Sequence, residues 1–160
     1  MLRSFLDYHR DTLRMKASDL TQEQLAATHP PSTLSLAGLL KHMALVEEAW
    51  FSDALLGNKL GPPWADIDFD ADPDWEFRTA ADDSPEELRR LFDAAVANSD
   101  AILDRVLADT GLETLSQELR GQSGEAFSLR WILVHMIEEY ARHNGHADLI
   151  RESIDGATGE

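Results

Sequence analysis

The chain contains no cysteine. Disulfides, thiolate metal ligands and an internal thiol nucleophile are therefore excluded, and any sulfur chemistry needs a thiol from outside. Basic residues are also scarce, 14 against 30 acidic ones, for a net charge of −16. Such a surface repels phosphate backbones and anionic lipids, so no nucleic acid and no membrane is expected as a partner. Lysine is the scarcest cation, three residues against eleven arginines, a balance that resembles products of GC-rich bacterial genomes. No apolar run approaches the length of a membrane span, and Met1 leads into an amphipathic segment without a signal-peptide layout. A cytoplasmic protein is expected. Strand patterning, internal repeats and low-complexity tracts are not evident either.

What is present is helical periodicity. With 160 residues and a hydrophobic share of 43%, one compact domain over 1–160 can bury a real core. Four helical segments are expected. The first covers about 2–15, with Leu2, Phe5, Leu6, His9 and Leu13 on one face. A further turn over 21–25 precedes the Pro30-Pro31 break. The second runs over 35–57 and stops at Gly57; its stripe is Leu36, Leu39, Leu40, Met43, Val46, Trp50, Phe51 and Ala54. The third has the clearest start, since Ser84-Pro85-Glu86-Glu87 combines an N-cap serine, proline at the first position and glutamate at the third. It continues to Gly111, and the fourth covers 128–154 with Gly156 as its stop. The expected fold is all-α, a four-helix bundle with a long crossing connection between helices 2 and 3. That connection, residues 58–83, is rich in Pro and Asp, yet Trp64, Phe69, Trp75 and Phe77 should make it pack. A connection of this length is often a lid. Its aromatics are more apolar surface than a loop needs and would suit a partner subunit or the pocket; a homodimer is among the expectations.

The fourth segment is the most informative. Glu139 and His143 stand four residues apart, one helical turn, on the face that carries Leu129, Ile132, Met136, Tyr140, Ala147 and Ile150. A carboxylate and an imidazole inside an apolar stripe need compensation, and a metal ion can supply it to both. His42, set between Leu39, Val46 and Ala49 on the second segment, can complete the set. Two imidazoles, one carboxylate and an open position form the usual arrangement of a catalytic zinc site. Spacing alone leaves a second reading open: a core histidine satisfied by hydrogen bonding, and a Glu–His pair on a helix surface.

The segment Leu39-Leu40-Lys41-His42-Met43-Ala44-Leu45-Val46-Glu47-Glu48-Ala49-Trp50, followed by Glu139-Tyr140-Ala141-Arg142-His143-Asn144-Gly145-His146-Ala147-Asp148, resembles the DinB superfamily. The likeness is to the branch with mycothiol-dependent maleylpyruvate isomerase and extends over nearly the whole chain. It implies a helical bundle holding a divalent metal between the second and fourth helices, with His42, Glu139 and His143 as ligands. Zinc is the metal expected, and nickel could replace it. His146 falls where many members have glutamine, and would support a ligand or touch substrate. Arg142 would lie near the polar parts of a thiol. His135, one turn before Glu139, is expected to pack or to support a ligand. His9 would be hydrogen-bonded in the core, and nothing recommends His29. Glu47 lies on another side of its helix from His42 and should pair with Arg130 or Arg142.

The function implied is a metal-dependent S-transferase or isomerase that uses a small thiol, mycothiol by resemblance, against an electrophile. The alternatives are a non-catalytic metal-binding stress or interaction protein, and a metal-dependent hydrolase.

Overall fold

A computed structural model describes residues 1–119 and 124–159. It is mostly helical with one small sheet. Helix α1 spans Leu2–Lys16, α2 Gln22–Ala26, α3 Leu36–Glu47, α4 Trp75–Thr79, α5 Pro85–Asp109 and α6 Leu129–Asp155; strands β1 and β2 are Leu115–Leu119 and Ala126–Ser128. None of the described helices is long and apolar enough to cross a membrane.

The helix ends follow local chemistry. At α5 the Ser84 Oγ accepts from the Glu87 amide at 3.2 Å, and Glu87 Oε2 accepts from the Ser84 amide at 2.9 Å. The free amides of the first turn are thus satisfied reciprocally. Ser35 caps α3 through the Gly38 amide and Ser128 caps α6 through that of Trp131. Gly57 and Gly156 both adopt positive φ, 73° and 76°, where a side chain would be strained.

Helix α1 packs on α6, and α3 packs on α5, α4 and α6. Between them lies a core that includes Leu6, Leu13, Leu40, Met43, Phe51, Phe92, Ile132, Met136 and Tyr140. Each fully buried side chain of this size contributes roughly 1.5–3 kcal/mol of transfer free energy. Trp64 is buried, and its ring meets Trp75 edge-on at 6.1 Å. Phe69, Trp75 and Phe77 pack against the same core. The connection thus packs, and its aromatic rings are turned to its own chain.

Four expectations need correction. A two-stranded antiparallel sheet exists, pairing Leu115 with Ser128 and Leu119 with Ala126. Its pattern is inverted: Leu115 and Leu119 are exposed and Ser116 is buried, so no hydrophobic alternation marks it. The Ser116 hydroxyl holds the pair together, accepting from the Phe127 amide and donating to the Glu118 carbonyl. Second, α3 does not run uniformly to Gly57, because Glu48–Ala54 is π-helical. Within that wider turn, Trp50 meets Phe127, Trp131 and His135 and is only half-buried. Third, Phe5 is 56% exposed, whereas Arg10 is fully buried on the inward face of α1. Fourth, the cation for Glu47 is Arg10, with neither Arg130 nor Arg142 involved: Arg130 pairs with Glu113 and Arg142 with Glu138. Arg10 lies on α1 and Glu47 on α3, so the periodicity of neither helix by itself connects them.

Candidate metal centre

His42 projects from α3, and Glu139 and His143 project one turn apart from α6. Each offers a ligand-capable atom, and these atoms lie within 4.8 Å of one another. The structure therefore brings together the three residues that the sequence singled out. His143 Nε2 lies 3.5 Å from Glu139 Oε2, and the His42 and His143 rings are 5.0 Å apart at 67°. Tetrahedral zinc with bonds of about 2.0–2.1 Å spaces its ligand atoms roughly 3.3 Å apart, close to the 3.5 Å between His143 Nε2 and Glu139 Oε2. His143 is buried, while His42 and Glu139 are half-buried, which leaves one side of the cluster accessible.

The electrostatics favour ligand-ready forms. Burial, reinforced by His42, His146 and Arg142, pushes the His143 pKa down from 6.5 to about 4. At neutral pH its ring is uncharged and keeps a lone pair for a cation. His42 Nδ1 lies 2.8 Å from Glu76 Oε1, a residue of α4. Phe77, next along α4, stacks on the His42 ring at 4.6 Å and 26°. Glu76 was not visible in the sequence. It is one carboxylate in a connection that also carries Asp66, Asp68, Asp70, Asp72 and Asp74; its placement between Trp75 and Phe77 is the single distinguishing sign.

The remaining expected residues separate clearly. His135 Nε2 lies 3.7 Å from Glu139 Oε1, so the two oxygens of Glu139 face two histidines, His143 on one side and His135 on the other. His135 is also flanked by Trp131, stacked at 5.0 Å, and Trp50 at 4.6 Å. With Glu138 and Glu139 it forms another group of suitably close donors, sharing Glu139 with the first. His146 approaches His143 with ring centroids 5.5 Å apart, and its buried Nδ1 has no hydrogen-bond partner among the described residues. Arg142 is exposed and bonds Glu138. His9 meets the Asn144 side chain, whose Nδ2 donates to the His9 carbonyl at 3.0 Å. His29 lies in the turn after α2.

Below the centre, α6 is fixed in rotation by a buried polar network. Tyr140, adjacent to Glu139, donates to Glu47 Oε1 at 2.7 Å. Arg10 donates to both Glu47 oxygens, at 2.8 and 2.7 Å, and also reaches Asp7 and Asp100. Burial acts to lower the Arg10 pKa, but its contacts with Glu47 outweigh this and the group stays charged. Burial, then Glu47, pushes the Tyr140 phenol well above its ordinary range, so it remains a donor.

Among family models, one described as mycothiol-S-transferase matches residues 1–156. No curated protein matches the chain.

Proposed function

The chain belongs to the mycothiol S-transferase family, and we propose that it is a divalent-metal-dependent enzyme joining a mycothiol-type thiol to a small electrophile. The observation that carries this reading is the convergence of His42, Glu139 and His143 from two helices, with one accessible side. In this reading α1, α3, α5 and α6 form a four-helix bundle whose crossing connection covers the centre, and the three residues hold zinc, with nickel as a substitute. A bound ion of this kind supplies Lewis acidity that lowers the pKa of a thiol at its open position.

The protein's own residues do the rest. His42, Glu139 and His143 fix where the sulfur must sit, and Phe77 walls the site beside His42. Phe77 also borders a cavity of about 360 Å³ with Thr33, Leu34, Asp74 and Arg78, and in this reading the polar part of the thiol lies there. His146, with its unpartnered ring nitrogen, supplies a further contact beside His143. In the transfer the S–H bond breaks with loss of the proton to solvent, and the thiolate's electron pair forms an S–C bond. The electrophile's carbon gives up either a leaving group with its bonding pair or, in an addition, a π pair that takes a proton from solvent. In this reading the protein is cytoplasmic and a homodimer, the second by its resemblance to the superfamily and not by the aromatics of the connection; a monomer mass by light scattering would remove that point.

Differential scanning fluorimetry with mycothiol tests the proposal. Mycothiol should stabilise the zinc-loaded protein against heat and leave the metal-free form unchanged. Equal stabilisation of both forms, or of neither, defeats it; thiol-independent cleavage of electrophiles would favour hydrolysis instead.

A further inference from the structure

Helix α4 is pinned to the stretch of α3 that carries His42. Lys41, buried, donates to Thr79 Oγ1 at 3.0 Å and Asp83 Oδ2 at 2.6 Å, and its ammonium lies 4.6 Å over the Trp75 ring. Gly38 admits the helix: a Cβ there would stand 3.0 Å from Phe77 Cδ1. The C-terminal part of the connection is therefore a splint on α3, in place of the lid that its length suggests.

What this splint delivers to His42 is Glu76, 3% exposed. Among the described residues its buried Oε2 has no partner and its Oε1 hydrogen-bonds His42 Nδ1 alone. We propose that Glu76 is the positioning residue of the centre, holding His42 as the Nδ1–H tautomer with Nε2 turned towards Glu139 and His143. This rests on the metal-centre reading given above.

The argument is one of donors and acceptors. An ionised carboxylate can only accept, so the bond to Glu76 requires the hydrogen on Nδ1. In a neutral imidazole that leaves the lone pair on Nε2, the atom free to face the ligand cluster. The Phe77 ring against His42 restrains the plane, so the ring cannot turn over and exchange its nitrogens. The charge balance points the same way. A buried carboxylate without a cation is costly, and an ion on the far nitrogen of the same ring compensates it through the imidazole. Glu76 also makes that nitrogen a stronger base, which tightens binding.

Nitrogen-15 NMR of histidine-labelled, metal-free protein at pH 8 reads the tautomer directly, and zinc titration by competition with a chromophoric chelator reads the affinity. Wild-type His42 should be protonated at Nδ1 and bare at Nε2. Glu76→Ala should move His42 towards the Nε2–H form and weaken zinc binding roughly ten- to a hundredfold. Glu76→Gln keeps an acceptor, so it should retain the tautomer and lose less affinity. A wild-type His42 protonated at Nε2 overturns the proposal, as does a Glu76→Ala protein that binds zinc like wild type. Because the tautomer is read without metal and without any substitution, it decides the matter even if Glu76→Ala fails to fold. A wild-type protein with the expected tautomer but no zinc at these ligands would defeat the metal reading and, with it, the assigned role of Glu76.

Discussion

Arg10 and Glu47, each without solvent exposure, face one another through two parallel hydrogen bonds. They join α1 to α3, and Tyr140 brings α6 to the same carboxylate. The pair is a fixed point of the interior, and breaking it from one side leaves a buried charge alone. Arg10→Ala should therefore lower stability by about 3–5 kcal/mol. The Arg10→Met, Glu47→Leu double variant should cost less than Arg10→Ala, since no lone ion remains. Urea unfolding of the three proteins measures this. A double variant less stable than the single one would mean that the pair stabilises the fold beyond mutual compensation.

Metal content gives the second prediction. Purified protein should carry about one divalent ion per chain, and affinity should fall in acid, with protons competing for His143 as pH approaches 4. His143→Ala should lose most of the metal. Elemental analysis of a His42→Ala, Glu139→Ala, His143→Ala variant provides the strict test, because full metal content there would place the ion elsewhere.

The metal-free protein should respond to acid through His143. In the unfolded chain this group titrates near 6.5, and in the fold at about 4. Between those values the unfolded chain binds the extra proton, so its contribution to stability is complete above pH 6.5 and is lost as pH falls towards 4. His143→Gln should flatten that part of the stability profile. An unchanged slope between variant and parent, measured by denaturant titration at several pH values, would show that His143 protonates as easily folded as unfolded.

Lys41→Met should release the anchor at Thr79, Asp83 and Trp75. Limited proteolysis within residues 58–83 should accelerate several-fold, and global stability should fall by about 1–3 kcal/mol, the usual effect of losing buried charge-assisted hydrogen bonds. Mass spectrometry of the early fragments locates the cuts. If α5 or α6 is nicked first, the connection is not what Lys41 secures.

Most of the helical framework was legible because its signals are local. Ser84, Pro85 and Glu87 specify a helix start through atoms only three residues apart, and Gly57 and Gly156 mark stops by a conformation that other residues avoid. His42, Glu139 and His143 were legible as intrusions of polarity into apolar stripes. The partners of these residues were not. Arg10 for Glu47 and Glu76 for His42 are chosen by packing between distant segments, and neither stands out from its surroundings in the chain. The hairpin escaped notice because Leu115 and Leu119 face solvent while Ser116 faces inward, reversing the pattern by which strands are recognised.

The division of the centre between α3 and α6 also bears on how the protein is made. Most of the chain separates His42 from Glu139, so a nascent chain that has displayed its first helices offers only one of the three residues and no chelate among them. The other two ligands emerge together on the last helix, after the supporting elements have had time to associate. If the three residues hold an ion as proposed, its acquisition would follow folding during biogenesis, and the finished geometry would select the ion from whatever the cell then holds in exchangeable form.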